Sequence, residues 1–177
     1  MSALLSYWDD YHPTWSCGSL PARSPQVTRQ VLRAVYDDCA AALQPLPVED
    51  KTFCNRMVQE ATKSLGCPVP RVVLRGDVWM EQSANAMGRW LENEGPRAGW
   101  KRLPGMSNAI QQANAGFPVI VSWVNAQGEG HIGMVLSTDA SETVPRIMQA
   151  GAVNFFDCPA GQGFGVYLPA ARFYSHD

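Results

Sequence analysis

The sequence has no apolar run approaching the roughly 20 residues that a helix needs to cross a bilayer, which argues against an integral membrane protein. It carries little net charge, since 14 Lys and Arg stand against 16 Asp and Glu, and this argues against nucleic acid as a principal partner. Its 5 cysteines form no Cys-x-x-Cys pair, so a zinc knuckle or ribbon is not expected. We predict no metal or other cofactor and no membrane partner.

The amino terminus also lacks the features of a cleaved secretory leader. The segment MSALLSYWDDYHPTW reaches acidic residues and proline before an apolar core of sufficient length can form. We therefore expect synthesis in the cytoplasm, with any export using a route that needs no cleaved leader.

What is present indicates one globular domain over residues 1–177. The composition, 46% hydrophobic and 17% charged, is that of a chain that buries a substantial core. Residues 1–23 show no clear periodicity and are expected to wrap the surface of the domain. Residues 24–116 are expected to form a helical part, and residues 117–177 a sheet part.

Apolar residues at helical spacing predict four helices in the first of these parts. Start and stop signals accompany them, such as Ser24-Pro25 at the first start and Gly116 at the last stop. The predicted helices run from Pro25 to about residue 43, from Thr52 to before Gly66, from Ser83 to before Gly95, and from about Ser107 to Ala115.

Short apolar segments separated by turns predict consecutive strands in the second part. Helices followed by such strands indicate an α+β fold with an antiparallel sheet. The predicted strands are Pro118–Val124, His131–Ser137, Ile147–Ala150, Val153–Phe155 and Gly165–Leu168.

Cys54 is predicted to lie in the first turn of the second helix. There the helix dipole and the unsatisfied backbone N–H groups favour a thiolate, and the same N–H groups can hold an oxyanion. An ordinary buried cysteine is the alternative interpretation of the same position.

His131 begins a predicted strand, whereas the two other histidines lie near the chain ends. Nucleophilic cysteine catalysis needs a base that takes the thiol proton and returns it to the leaving amine. A histidine at a strand start is often structural, but a cysteine at a helix start followed by a histidine on a later sheet favours a Cys54–His131 pair.

A third group should hold the imidazole in the correct tautomer. If the strand after His131 returns beside it, Gln149 is the polar side chain within reach, and its carbonyl oxygen can accept the imidazole N–H. Asn154 is the alternative third member, since a bulge at Gly151 would bring it close. A solvated strand residue is the competing interpretation of Gln149.

Two further residues are candidates for substrate binding. Asn55 directly follows the proposed nucleophile and is placed to orient a scissile carbonyl, although a helix-capping role fits equally well. Trp123 lies on the strand before His131 and could line a substrate groove, although a large aromatic of this kind is more often part of the core.

The ordered series TFCN, ANAMGRWL, GEGHIGMV and IMQAGAVNF resembles the NlpC/P60 and CHAP groups of papain-like cysteine peptidases. More particularly, it resembles peptidoglycan amidase toxins delivered by type VI secretion, over about residues 50 to 168. The resemblance implies a papain-like NlpC/P60-type fold, with N-terminal helices packed on a C-terminal antiparallel sheet. The family roles fall on Cys54, His131 and Gln149, although glutamine departs from the His, Asn or Glu that commonly fills the third role.

The same resemblance implies a function. It predicts a cysteine amidase or endopeptidase that hydrolyses amide bonds of peptidoglycan stem peptides or cross-links through a Cys thioester. As an antibacterial secreted toxin, it would act in the periplasm of a target bacterium. The expected partners are the peptide substrate, a cognate immunity protein and a component of the secretion system.

Two other functions stay open from the sequence. An acyltransferase or transglutaminase-like toxin would use the same Cys–His pair but transfer the acyl group to an amine of a protein. A non-enzymatic module would use its aromatic residues to bind glycan or peptide.

Overall fold

The computed structural model describes residues 24–42, 54–151 and 153–177. Within these ranges the chain forms an α+β fold in which helices pack on an antiparallel sheet, as the sequence predicts. The predicted surface wrapping by residues 1–23 and the predicted helix start at Thr52 lie outside the described residues. None of the helices in the described part combines the length and the apolar character needed to cross a membrane.

The helices begin and end where local signals place them. The Ser24 hydroxyl accepts a hydrogen bond from the N–H of Val27 at 3.1 Å, and the Ser83 hydroxyl accepts one from Ala86 at 3.3 Å, so both serines act as N-caps. Gly116 follows the fourth helix with a φ of 91°, which glycine adopts without a steric penalty. The described α-helices are α1 (Pro25–Ala42), α2 (Cys54–Ser64), α3 (Ala84–Asn93), α4 (Met106–Asn114) and α5 (Ala160–Phe164).

The described strands are β1 (Val72–Arg75), β2 (Val78–Glu81), β3 (Trp100–Leu103), β4 (Val119–Trp123), β5 (His131–Leu136), β6 (Arg146–Gln149), β7 (Phe155–Pro159) and β8 (Arg172–His176). Six of them form the main sheet in the order β3-β8-β4-β5-β6-β7, and every neighbouring pair is antiparallel. Strands β1 and β2 form a separate two-stranded hairpin.

Several sequence-based assignments were wrong. The segment predicted as the strand Gly165–Leu168 belongs to a 3-10 helix, Gly165–Ala170, and the strand predicted at Val153–Phe155 is β7, which starts two residues later. Pro169 and the left-handed φ of 53° at Gly165 are both unfavourable in an extended strand. The part expected to be helical, 24–116, also contains β1, β2 and β3, and β8 was missed.

Each face of the main sheet carries its own buried cluster. We call the face under α1, α2 and α3 the front face and the face under α4 and α5 the back face. Because successive strand residues point to opposite faces, neighbours along β4, β5 and β6 divide between the two clusters. The front face includes Ile120, Ile132, Met134, Met148 and Tyr174. The back face includes Val119, Val121, Val135, Ile147 and Phe173.

Asp157 joins α1 to one edge of the sheet. Its carboxylate accepts a hydrogen bond from the Arg146 guanidinium at 2.8 Å and another from the Arg29 guanidinium of α1. Arg29 also donates to the backbone carbonyl of Ser137, just after β5, at 2.6 Å. Burial opposes ionisation of Asp157, but the hydrogen bonds from Arg146 and Arg29 outweigh it and lower the pKa of this carboxyl.

Candidate active site

His131 and Gln149 meet on the back face at one end of the sheet. The pairing of Met134 with Met148 places Gln149, the last residue of β6, diagonally across from His131, the first residue of β5. The imidazole Nε2 of His131 lies 2.8 Å from Oε1 of Gln149, which is a hydrogen-bonding distance. The structure therefore brings together two of the side chains that the sequence singles out.

The orientation of the Gln149 amide determines the tautomer of His131. The amide Nε2 of Gln149 donates to the backbone carbonyl of Val153 at 3.2 Å, so its Oε1 is the atom that faces the imidazole. Because that oxygen can only accept, His131 carries its proton on Nε2 and leaves the Nδ1 lone pair available as a base. Burial lowers the pKa of His131 and the Gln149 bond partly opposes this, so the surroundings favour the neutral ring.

The short helix α5 encloses this pair. The ring of Phe164 lies 4.8 Å from the His131 ring, centroid to centroid, at a tilt of 55°. Gly163 packs directly on the glutamine, since a Cβ atom at this position would lie 2.0 Å from Oε1 of Gln149. Sequence reasoning missed Gly163 and Phe164, because a five-residue helix carries no periodic pattern that would have revealed it.

Cys54 is the first residue of α2 and belongs to the buried cluster on the front face. Its exposed fraction is 1%, and Ile132 of β5 and Ala150, which follows β6, lie in the same cluster. The helix assignment agrees with the predicted position in the first turn, where backbone N–H groups have no partner within the helix.

Asn55 anchors the first turn of α2 to the segment that precedes α3. Its Nδ2 donates to the backbone carbonyl of Gln82 at 2.9 Å and to the Glu81 carboxylate at 3.3 Å. Its Oδ1 accepts from the N–H of Arg56 at 2.9 Å. These contacts make Asn55 a structural anchor, and its predicted role in substrate binding stays a prediction.

Asn85, in the first turn of α3, holds the loop that leads into His131. Its Nδ2 donates to the carbonyls of Gly128 at 2.7 Å and Asn125 at 3.0 Å, and its Oδ1 accepts from the N–H of Asn125 at 2.8 Å. A Cβ atom at Gly130 would lie 2.2 Å from that same Oδ1, so the amide rests against the residue before His131. Since Asn55 in turn binds Gln82 close by, α2 and α3 both begin at the end of the sheet where β5 begins.

Cys54 and His131 lie on different faces of the main sheet, near the end of the sheet where β5 begins. His131 precedes Ile132 of the front face and pairs with Trp123, which packs on the back-face cluster, so its ring belongs to the back face. Cys54 lies on the front face. Both are the first residues of their elements, and a reaction between them has to take place around the start of β5. Proton transfer between Cys54 and His131 stays a prediction.

Asn154, the alternative third member, lies away from the imidazole bond. Its Oδ1 accepts from the N–H of Gly151 at 3.1 Å and closes the turn between β6 and β7. The irregular register in this pair of strands falls between Ile147 and Met148 and not at Gly151. The amide that bonds to His131 is that of Gln149.

Trp123 pairs with His131 across β4 and β5 and forms an aromatic wall with Tyr167. The two rings are stacked with centroids 3.9 Å apart and planes 15° from parallel. Tyr167 is half exposed. Sequence reasoning missed Tyr167 because the 3-10 helix that carries it was assigned as a strand. The predicted contact of Trp123 with substrate stays a prediction.

No protein-family model matches the chain, and the search of curated proteins finds no match. In the ranges that the structure describes, no three His, Cys, Asp or Glu side chains gather into a group that could hold a metal ion.

Proposed function

We propose that this protein is a papain-like cysteine hydrolase that cleaves amide bonds in peptidoglycan peptides. The observation that carries the proposal is the hydrogen bond from His131 Nε2 to Gln149 Oε1. It orients a neutral imidazole with Nδ1 as its basic nitrogen, which is the form that a cysteine nucleophile requires. The convergence of the α2 start on the start of β5 supports Cys54 as that nucleophile.

The reaction follows from these groups. Nδ1 of His131 takes the proton of the Cys54 thiol, and the sulfur adds to the amide carbonyl carbon. Backbone N–H groups in the first turn of α2 stabilise the oxyanion that forms. The imidazolium then returns its proton to the leaving nitrogen, the C–N bond breaks, and a thioester remains. Water, deprotonated by His131, hydrolyses the thioester and restores the thiol.

The substrate class rests on the ordered motifs around Cys54, His131 and Gln149 and on the open aromatic wall beside the imidazole. Trp123 and Tyr167 offer a flat surface next to His131, which suits an extended peptide better than a deep pocket would. As an antibacterial toxin, the protein would reach the periplasm of a target cell through a secretion system, and a cognate immunity protein would protect the producer.

A non-enzymatic module that binds cell-wall peptide or glycan is the second candidate. The near-complete burial of Cys54 and its place on the front face favour this function. In that case His131 and Gln149 would stabilise the back face, and the Trp123–Tyr167 wall would be the binding surface.

Digestion of purified peptidoglycan separates these functions. Wild-type protein should release soluble fragments whose masses increase by one water per bond cut, whereas Cys54→Ala and His131→Ala should release none. Cys158→Ala, which removes a buried thiol on the opposite face of the sheet, is the matched control and should retain activity. Thermal melting checks that each variant is folded.

Three outcomes would contradict the proposal. Undiminished digestion by folded Cys54→Ala protein would remove the nucleophile. Products that carry an added amine in place of water would indicate the acyltransferase. Binding of peptidoglycan without any cleavage by the wild type would indicate the binding module.

A further inference from the structure

A cavity of about 380 Å³ opens beside Trp123, on the side of β4 away from His131. Residues of α3 form one wall, and the segment leading into β8 forms the other. Its lining includes Gly88, Arg89, Glu92, Trp123, Ala170 and Arg172. Trp123, which lines this cavity, is the cross-strand partner of His131, so the cavity lies next to the candidate site along the sheet.

Among the described residues that line the cavity, the two arginines outnumber the single glutamate, so the lining carries a net positive charge. The Glu92 carboxylate accepts a hydrogen bond from Tyr174 Oη at 2.7 Å and pairs with Arg172 at 3.0 Å and with Arg102 at 3.2 Å. These partners use its acceptor capacity, so it is not available to a bound amine. Arg89 has neither a carboxylate nor a hydrogen-bond partner within the described residues.

We infer that this cavity is a subsite for a carboxylate group of the peptide substrate and that Arg89 determines this specificity. The inference rests on the proposed function, since it names the chemistry that the site selects. A guanidinium binds a carboxylate through two parallel N–H donors, and such a pair has a defined geometry. Peptidoglycan stem peptides carry free carboxylates along their length, and an extended peptide across Trp123 can place one in the cavity.

Direct binding tests the subsite without requiring cleavage. The chain carrying Cys54→Ala is titrated calorimetrically with the stem tetrapeptide L-alanyl-γ-D-glutamyl-meso-diaminopimelyl-D-alanine and with the same peptide after amidation of its carboxylates. Arg89→Ala should weaken binding of the acidic peptide about fivefold, the upper range for a partly exposed ion pair, and should leave the amidated peptide unaffected. Arg89→Lys should recover part of the loss.

Arg97→Ala is the matched control, because Arg97 is an exposed arginine beyond the end of α3 that pairs with Glu94 outside the cavity. It should bind both peptides as the parent chain does. Equal losses for the two peptides in Arg89→Ala, or no loss for either, would overturn the inference. Inorganic phosphate that binds as tightly as the acidic peptide, and depends equally on Arg89, would also overturn it and show an unselective anion site.

The result of this binding experiment does not depend on whether the protein is catalytically active. The chain used for binding has no nucleophile, so a carboxylate-selective loss can appear whether or not the wild type cleaves peptidoglycan. In an active wild-type background, Arg89→Ala should raise KM for the acidic peptide with little change in kcat. A lower kcat with unchanged KM would assign Arg89 to the chemistry and contradict the subsite.

Discussion

Replacing Gln149 by methionine removes the hydrogen bond on which the proposed mechanism depends, together with the bond from its amide to the carbonyl of the exposed residue Val153. Gln149 is 5% exposed, so its replacement has to preserve the packing of the back face. Methionine has a similar length and volume and no branching, but its thioether sulfur is only a weak acceptor for the N–H of His131. The change therefore removes the bond from His131 Nε2 while it leaves the surroundings filled.

The size of the effect follows from the charge that the imidazole gains during reaction. A hydrogen bond to a charged partner contributes about 1.5 to 3 kcal/mol, against about 1 kcal/mol for a neutral pair. The bond strengthens by the difference, about 0.5 to 2 kcal/mol, when His131 becomes imidazolium, so its loss should lower kcat/KM by about 2- to 30-fold. Removal of Gln149 should also lower the pKa of His131 further, because burial then acts without the opposing hydrogen bond.

The assay is a pH profile of kcat/KM for a soluble stem peptide, combined with thermal melting. The acidic limb of the Gln149→Met profile should move to lower pH, and its plateau should fall by the stated factor. Asn154→Ala removes the neighbouring amide, which only closes the turn at Gly151, and should leave both the limb and the plateau close to wild type. A folded Gln149→Met protein with an unchanged plateau would refute the assignment of Gln149 as the group that orients His131.

Three further predictions concern packing and pH. Gly163→Ala should lower kcat/KM and should lower the unfolding free energy by about 1–3 kcal/mol, because its Cβ would lie 2.0 Å from Gln149 Oε1. Gly161→Ala, whose Cβ meets nothing within 4 Å, should lower neither. Equal melting temperatures for the two variants would contradict this. Because burial lowers the pKa of His131 in the folded state, the unfolded state binds its proton first, and stability should fall as pH drops below about 6.5. Urea titrations across this range should show a shallower fall in folded His131→Gln protein, and an identical slope would exclude the histidine as its source. The pKa of Asp157 is lowered, so its contribution to stability is present above the ordinary pKa of 3.8 and is lost as pH falls through the folded-state pKa. Asp157→Asn should therefore reduce the melting temperature at pH 7 and make the melting temperature depend less on acid pH. A melting temperature equal to wild type at pH 7 would argue against a stabilising role of its two arginine partners.

The helices and the strands next to His131 were predictable because their signals are local. Ser24 and Ser83 start helices through hydrogen bonds to N–H groups only three residues away. Strands β4 and β5 are short apolar runs bounded by turn residues, which is a local signal for buried strands. The closeness of Gln149 to His131 was accessible too, since a strand that returns through a turn of known length pairs with its neighbour.

Strand β8 was not predicted, because its pairing does not depend on local sequence patterns. It lies between β3 and β4 in the sheet, so both of its neighbours come from chain segments more than 45 residues earlier. Its five residues, Arg172–His176, include polar and aromatic side chains whose alternation is too short to identify a strand. Pairing of this kind is stabilised by burial between distant segments, which no short window of sequence contains.

The sequence by itself placed Cys54 in the first turn of a helix and His131 at the start of a strand, and it brought Gln149, with Asn154 as the alternative, within reach of the imidazole. These features depend on hydrogen bonds and side-chain periods that span only a few residues. Tertiary structure alone decided that α2 covers the front face while His131 points to the back face, and that Gly163 and Phe164 close over the imidazole pair. The face that a helix covers depends on which apolar surfaces exclude water together, and those surfaces come from segments far apart in the chain.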